Sequence, residues 1–404
     1  MTRDIRILFA TRIVRMFSYG LLAVILALYL EQAGLSTAQI GLLLTLTLLG
    51  DALISLWITT RADRVGRKRM LLVGAALMIF AGILFAVTRN FIVLLFAATI
   101  GVISPSGNEV GPFLAIEQSS LAQTLPGEKR TQVFAWYQLA GSLATALGSL
   151  TGGGLAQLLQ YGGAVPLASY RVIILVYAGL GIVLAGLFGF LSRVVEAPAG
   201  ANAVVNKLGL GKSSRIVLKL SALFSVDAFA GGFVVQAIVA YWFHLKYGVN
   251  PAVLGAIFFG ANIFAGLSAL SAAWIARKIG LLNTMVFTHV PSNILLILVP
   301  LMPNLPLAIT MLLLRFSISQ MDVPTRQSYT LSVVSPEERS AAAGVTGIAR
   351  TLGASLAPVV STPLMGIPAL LGAPFIIAGA LKLVYDFGLY RSFKAVRPLH
   401  EQQS

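Results

Sequence analysis

About twelve apolar runs of roughly twenty residues succeed one another along the chain and constrain what it can fold into. A helix of about 20 residues crosses the bilayer hydrocarbon and satisfies its own backbone hydrogen bonds there. Strands of a membrane β-barrel would be about 10 residues long with strict alternation, and these runs lack that rhythm. The sequence therefore predicts an all-α membrane protein with twelve transmembrane helices, at residues 8–32, 36–60, 69–88, 91–123, 131–159, 170–192, 216–244, 251–276, 281–302, 305–334, 338–365 and 373–390.

The composition agrees with a membrane protein, because 57% of the residues are hydrophobic and only 11% are charged. The net charge of +15 comes from cations that collect in alternate loops, as the positive-inside rule describes. This distribution predicts that both termini are cytoplasmic, and it argues against nucleic acid as a partner. Cysteine is absent and the three histidines are scattered, so neither disulfides nor a metal cluster are expected. Arginines interrupt the apolar part of MTRDIRILFATRIVRMFSYG at the amino terminus, which predicts a retained first helix rather than a signal peptide.

The longest polar connector, SRVVEAPAGANAVVNKLGLGKSSR, follows the sixth run and divides the chain into two halves. We expect an N-terminal six-helix bundle at 1–192, a cytoplasmic linker at 193–215, and a C-terminal six-helix bundle with a short tail at 216–404.

Repeated segments indicate that the two halves arose by duplication. ADRVGRK (62–68) follows the second run, and ARKIGLL (276–282) follows the eighth. At an offset of 209 residues, EQSS and EKRT in the first half lie over RQSY and EERS in the second, at 117–120, 128–131, 326–329 and 337–340. Parallel repeats are one architecture of secondary transporters.

Over nearly its whole length the sequence resembles the major facilitator superfamily. TTRADRVGRK, residues 59–68, is similar to the family's signature after the second helix, G-x-L-A-D-R-x-G-R-R/K. The resemblance implies two pseudo-symmetric six-helix bundles that rock about a central site, in a multi-pass protein of the cell membrane that acts as a monomer. It also implies a cytoplasmic gate that ties the second helix to the eleventh helix and to the end of the fourth.

The gate residues that this resemblance implies surround the short polar turn after the second run. Glu117 is the acid expected to receive Arg67, and Glu128 is the alternative. A basic loop that only sets topology, with no dependence on conformational state, is the other interpretation. The predicted gate comprises Asp63, Arg64, Gly66, Arg67 and Glu117.

The stretch ATALGSLTGG (144–153) resembles G-x-x-x-G-P-x-x-G-G, a motif that antiporters of this family often carry in helix five. The resemblance implies a secondary active transporter of a small solute, and the motif favours export in exchange for protons. Uptake of an organic anion or zwitterion by symport or uniport is an alternative, and so is a receptor on the same fold. Neither a nucleotide motif nor a nucleophile–base set appears, which argues against ATP as an energy source and against an enzyme. We expect protons and membrane lipid as partners, and no cofactor.

Ionisable side chains inside the apolar runs are costly in lipid and are therefore functional candidates. At about 1.5 Å rise per residue, several lie about 13–22 Å from the cytoplasmic ends of their helices, where such transporters bind substrate. Arg12, Arg15 and Tyr19 share one face of the first helix. The candidates for substrate binding and proton coupling are Arg15, Tyr19, Asp51, Glu109, Asp227, Asp322, Arg326 and Arg350.

Each candidate also has a structural interpretation. Asp322 and Arg326, at i and i+4, can pair with each other, and Asp51 can neutralise Arg15 or Arg350. Glu109 and Asp227 have no partner in their own helices, and an uncompensated buried carboxyl suits a proton carrier.

Other polar and aromatic residues of the second half favour structural roles. Lys382 and Asp386 are expected to pair with each other at i and i+4, and His289 is expected to be a hydrogen-bonded core residue. Phe229 and Phe233 are expected to pack rather than to line a cavity.

Overall fold

A computed structural model describes residues 3–124, 127–196, 211, 213–335 and 338–395, with the backbone alone for 127–132 and for Ser340. The described residues form helices joined by short turns, and no strand occurs among them. The helices are α1 (Arg3–Gln32), α2 (Thr37–Val65), α3 (Arg67–Val87), α4 (Phe91–Ile100), α5 (Phe113–Thr124), α6 (Gly127–Tyr161), α7 (Pro166–Gly189), α8 (Ser214–Gly232), α9 (Gln236–Tyr247), α10 (Pro251–Ile279), α11 (Leu281–Leu298), α12 (Leu305–Ser319), α13 (Asp322–Ser332), α14 (Arg339–Ser355), α15 (Pro358–Met365) and α16 (Ala373–Phe393).

The prediction of an all-α membrane protein is confirmed. Nine helical stretches of the described chain are long and apolar enough to cross a membrane. The other three predicted spans coincide with α4 and α5, with α6, and with α12 and α13. The total of twelve spans stays a prediction.

By their internal contacts, the residues divide into two compact units. One unit comprises Met1–Val204 with Val235–Phe259, and the other comprises Val205–Val234 with Gly260–Ser404. This division differs from the predicted boundaries in that Val235–Phe259 group with the first unit. Most of the predicted linker, 193–215, lies outside the described residues.

Capping residues and glycines fix the ends of the helices. The Ser36 side chain accepts a hydrogen bond from the Gln39 backbone, and the Gln39 side chain accepts from the Ser36 backbone, which forms a capping box at the start of α2. Gly66 separates α2 from α3 with φ of 114°, a conformation that other residues rarely adopt. Gly280 has φ of 84° between α10 and α11, so the two repeated loops share a glycine turn.

Small residues let the helices of each unit approach closely, as is common in membrane bundles. In the first unit, α1 packs on α6, and a Cβ atom added at Gly148 would lie 2.0 Å from the Phe17 carbonyl oxygen. In the second unit, α8 packs on α14, and a Cβ atom at Gly353 would lie 2.4 Å from the Ser225 carbonyl oxygen. In both units, a glycine thus allows close contact between the backbones of a corresponding pair of helices.

Four of the predicted spans are interrupted helices. Residues 101–112 separate α4 from α5, and shorter breaks at 233–235, 320–321 and 356–357 interrupt the later spans. Backbone that is not helical at membrane depth needs hydrogen-bond partners from protein or water. All four breaks adjoin helices that carry predicted charged residues, namely α5, α8, α13 and α14.

Candidate functional site

The first unit contains a buried cluster of two arginines and two glutamates. Arg15 donates from both terminal nitrogens to the carboxylate of Glu117, over 2.8 Å and 2.6 Å. Its Nε lies 2.8 Å from Oε1 of Glu109, and Arg12 pairs with the other oxygen of Glu109. Arg12, Arg15 and Glu117 are almost completely buried, whereas the Glu109 side chain is 15% exposed. The formal charges of this cluster cancel.

Neighbouring side chains hold the cluster in place. Thr11 donates to Glu117 over 2.8 Å, and the hydroxyl of Tyr137 donates to the same carboxylate. The Arg15 guanidinium lies 4.8 Å from the centre of the Phe113 ring, within the range of a cation–π interaction. A Cβ atom at Gly141 would lie 2.6 Å from Nε of Arg12. The arginines therefore have little freedom to move within this arrangement.

Tyr19 and Asp51, the other two candidates of the first unit, form hydrogen bonds with residues 101–112, which interrupt the fourth span. They do not belong to the cluster of arginines and glutamates. The Tyr19 hydroxyl donates to the carbonyl of Val110 over 3.1 Å. Asp51 accepts a hydrogen bond of 2.6 Å from the backbone amide of Gly111. The expectation that Asp51 neutralises Arg15 or Arg350 is wrong, because this carboxylate serves a backbone amide.

The second unit contains a cluster built around Asp227. Lys382 lies 2.6 Å from Oδ1 of this carboxylate, while Arg326 and Arg350 each lie 3.2 Å from Oδ2. Arg326 also pairs with Asp322 over 2.6 Å. Most of these side chains are buried, but that of Arg350 is 32% exposed. One carboxylate thus serves three cations, and one of those cations is accessible.

A second layer of polar groups lies behind Asp227. Nδ1 of His289 is 2.8 Å from Oδ1 of Asp386, and Nε2 is 3.8 Å from Oδ1 of Asp227. Asn293 donates to Oδ2 of Asp386 over 2.8 Å. The expected Lys382–Asp386 pair is wrong, because Lys382 reaches across to Asp227 on α8.

Glu109 and Asp227 were expected to have no partner in their own helices, and their ion pairs agree with this. Each instead pairs with cations from other helices, so neither is an uncompensated carboxyl. Interactions within one helix are the only ones that sequence spacing predicts directly, and these pairs cross between helices. The expected i,i+4 pair of Asp322 and Arg326 is present.

The polar turn after α2 contacts the segment that follows α7. Arg67 pairs with Asp63 over 2.7 Å and donates to the Gln123 side chain over 2.9 Å. The backbone amides of Arg67 and Lys68 donate to the carboxylate of Glu196, which caps the start of α3.

The predicted gate is only partly assembled in this arrangement. The expected pairing of Arg67 with Glu117 is not formed in this arrangement, because Glu117 binds Arg15, Thr11 and Tyr137. The gate stays a prediction for the outward-open state. The alternative acid, Glu128, has a side chain outside the described residues. Arg64 is exposed, and within the described part of the chain it has no ion pair or side-chain hydrogen bond. Glu196 was not among the predicted residues. The only indication of it in the sequence was its position just after the sixth predicted span.

Glu338, just before α14, binds the end of the connector between the two halves. The backbone amides of Gly211 and Ser213 donate to its carboxylate, and the Ser335 hydroxyl donates over 2.9 Å. Hydrogen bonds from the Ser213 side chain and the Gly211 amide lower the pKa of Glu338 to about 2. This carboxylate is therefore ionised throughout the physiological range.

An open apolar groove with a volume of about 620 Å³ lies on the surface between α1 and α6, where Ile13, Trp136 and Leu143 are exposed. Phe9, Ile13, Trp136 and Leu143 are among its lining residues, and Arg6 is also present. Its volume falls within the range of small-molecule sites. Phe229 and Phe233 are not part of it; their rings contact each other edge to face with centroids 5.1 Å apart.

Among the described residues, no group of three or more histidine, aspartate or glutamate side chains is arranged to hold a metal ion. The charged clusters instead consist of carboxylates paired with nitrogen cations. Such clusters can bind ions or ionic groups of a solute by exchanging partners, and they can take up or release protons.

Comparisons with known proteins agree with these features. A family model described as Major Facilitator Superfamily matches residues 8–358. The uncharacterized membrane protein YJR124C of Saccharomyces cerevisiae is 31% identical over 426 residues, covering 98% of this chain and 95% of that protein. The quinolone resistance protein NorA of Staphylococcus aureus is 27% identical over 157 residues, 39% of each chain. The crystal structure of the nucleoside transporter NupG has a TM-score of 0.76 at 15% identity and covers 97% of this chain and 100% of that chain.

Proposed function

The chain belongs to the major facilitator superfamily, and on that premise we propose that it is a proton-coupled secondary active transporter of a small solute. The transporter works by alternating access, and its energy comes from an ion gradient. Asp63 and Arg67 belong to the cytoplasmic gate of this cycle, and the buried charges form its binding and coupling groups.

The observation that carries this proposal is the shared carboxylate of Asp227. Lys382, Arg326 and Arg350 all pair with this single carboxylate, and Arg326 also pairs with Asp322. A buried ion pair is sensitive to the loss of either partner. A proton or a charged solute that arrives at this cluster must therefore rearrange its pairs, and such rearrangement is the basis of coupling.

For the direction of transport, we propose export by proton antiport. The small-residue stretch at 144–153 and the partial similarity to NorA, a quinolone resistance protein, support this direction. The open apolar groove between α1 and α6 would contact the apolar part of an exported compound.

The second candidate is proton-coupled uptake of an organic anion or zwitterion. Arg350 supports it, because this cation is 32% exposed while the carboxylate that compensates it is 5% exposed. An anionic group that contacted Arg350 would meet an accessible positive charge. A receptor that does not transport is the third alternative.

The experiment begins with a thermal-shift screen of organic anions, zwitterions and organic cations against the purified protein at several pH values. A compound that stabilises the protein is then added outside proteoliposomes that contain a pH-sensitive dye. Symport acidifies the lumen because protons enter with the compound. Antiport makes the lumen alkaline because protons leave in exchange.

Binding without any tracer flux would contradict the transporter proposal and favour a receptor. Flux that leaves the lumenal pH unchanged, with the membrane potential clamped, would contradict proton coupling. Asp51→Asn provides a further comparison, since a receptor should tolerate loss of this charge whereas a carrier should lose flux.

A further inference from the structure

His289 lies between two carboxylates that belong to different helices. Its Nδ1 is 2.8 Å from Oδ1 of Asp386 on α16, and its Nε2 is 3.8 Å from Oδ1 of Asp227 on α8. The His289 side chain is 5% exposed, and that of Asp386 is 1% exposed. The imidazole is therefore buried between two carboxylates, namely that of Asp386 and that of Asp227, which pairs with the cations.

Both ring nitrogens face oxygen atoms that accept hydrogen bonds. A neutral imidazole has one N–H donor and one nitrogen that can only accept. An ionised carboxylate can only accept, so the 2.8 Å contact with Asp386 assigns the donor to Nδ1. The Asn293 amide lies 3.2 Å from the same Nδ1 and donates to the other oxygen of Asp386 over 2.8 Å. Nε2 then faces Asp227 without a proton, so only the protonated ring can donate in both directions.

The charged and titratable groups around His289 come from several helices. Asp227 lies on α8 and Asp386 on α16, where the Tyr385 ring also contacts the imidazole edge to face at 5.9 Å. The other groups act through Asp227. Arg326, Arg350 and Lys382 pair with it directly. Asp322 pairs with Arg326, and Arg315 is attracted electrostatically to Asp227.

We propose that His289 and Asp386 form the proton-binding site of this transporter, and that Asp227 links this site to the accessible cation Arg350. The proposal rests on the proposed function, since it assigns the coupling proton to a place in the fold. The proton binds at Nε2 of His289, while Nδ1 keeps its hydrogen bond to Asp386. Asp386 is thus a positioning residue that fixes the ring and balances its charge.

Protonation of His289 weakens the pairing of the other cations with Asp227. The new N–H donor competes for this carboxylate, which already serves three cations. Arg350 is the partner with the most exposed side chain, so it is the cation best placed to turn to a solute. Proton binding therefore favours an anionic group at Arg350 and opposes a cationic group at Asp227.

The charge of the solute then determines the sign of coupling. An anion and the proton bind together, as in symport, whereas a cation and the proton exclude each other, as in antiport. Linkage is reciprocal, so loss of Arg350 must change the affinity of His289 for the proton by the same free energy as protonation changes the pairing of Arg350.

The test uses the full-length protein labelled with ¹³C-histidine, and its probe is the proton itself. The chain has three histidines, and His289→Gln and His244→Gln assign the resonances. We expect the resonance of His289 to change with pH, as proton binding at this ring requires. In Arg350→Gln we expect the midpoint of that change to lie about one pH unit higher than in wild type, because Asp227 has lost a competing cation.

Matched variants separate this linkage from general effects. Arg12→Gln removes a buried arginine of the first unit and should leave the midpoint of His289 unchanged. Asp386→Asn retains a polar group beside Nδ1 but removes its charge, and should lower the midpoint. A resonance of His289 that does not titrate, or a midpoint that ignores Arg350→Gln, would overturn the proposal.

Lumenal pH in the proteoliposomes distinguishes failure of the proposed proton site from failure of the proposed function. If wild-type protein moves protons and His289→Gln moves them equally well, the proton site is wrong and the proposed function stands. If His289 titrates as expected but wild-type protein moves no protons, the proposed function is wrong. We expect His289→Gln to exchange solute across the membrane while losing accumulation driven by a pH gradient, and His244→Gln to behave as wild type.

Discussion

Arg15 and Glu117 form a two-pronged ion pair in which both side chains are fully buried, with N–O distances of 2.8 Å and 2.6 Å. The arginine lies on α1 and the glutamate on α5, so this pair connects the first span to the second half of the fourth. The formal charges of the buried cluster cancel, so removal of one partner leaves the cluster with one uncompensated charge.

We therefore expect Glu117→Leu to destabilise the protein by about 3–5 kcal/mol. The double variant Arg15→Met/Glu117→Leu should be more stable than the single variant, because no buried charge is left unpaired. The measurement is the temperature at which purified protein loses its monodisperse elution peak. Equal losses in the single and double variants would show that the pair matters through its shape and not through its charge.

Asp63→Asn is expected to lower the initial rate of transport without reducing the yield of folded protein. The carboxylate accepts from Nε of Arg67 over 2.7 Å while its own side chain is 44% exposed, so loss of the charge has a small effect on stability. Tracer uptake over the first seconds measures the rate. Arg69→Gln is the matched control, since Arg69 is exposed close to the same turn and is not among the predicted gate residues. An unchanged rate in Asp63→Asn would remove the gate interpretation.

Gly148→Ala is expected to destabilise the contact between α1 and α6 by about 1–3 kcal/mol. The added Cβ atom would lie 2.0 Å from the backbone oxygen of Phe17, which cannot move without the helix. Gly154→Ala is the control in the same helix, because nothing lies within 4 Å of its Cβ position. Thermal midpoints at one heating rate compare the two variants, and equal midpoints would contradict close packing at Gly148.

The stabilising effect of Glu338 should disappear in acid. Hydrogen bonds from Ser213 and Gly211 lower its pKa from 4.5 to about 2, so the folded state binds the proton less tightly than the unfolded state. This contribution is complete above about pH 4.5 and is lost as the pH falls towards 2. The difference in thermal midpoint between wild type and Glu338→Gln should be constant from pH 7 to 5 and should shrink at lower pH. A difference that does not change with pH would contradict an ionised Glu338.

The helical class and the charged residues of the candidate site could be predicted from sequence, because both follow from local patterns. Apolar runs of membrane length predict helices, and an ionisable group inside such a run is conspicuous by itself. The Asp322–Arg326 pair was also predictable, since i,i+4 spacing places the two groups on one helix face.

The partners of most charges could not be predicted, because they depend on which helices meet and at what depth. Asp386 was expected to pair with Lys382 one turn away, but the lysine extends to Asp227 and leaves Asp386 to His289. Glu117 was expected beside Arg67, yet its carboxylate binds Arg15 on α1. The break at 101–112 contains three glycines and two prolines, a signal of a loop that the count of apolar runs overlooked.

The interruption of the fourth span also bears on the order in which the protein is assembled. Its backbone obtains hydrogen bonds from distant parts of the chain: the hydroxyl of Tyr177 on α7 donates to the carbonyl of Val102, and the amide of Ala237 on α9 donates to that of Pro105. Both partners are synthesised later than the segment that they hold. These hydrogen bonds of the fourth span can therefore form only after α7 and α9 have been synthesised.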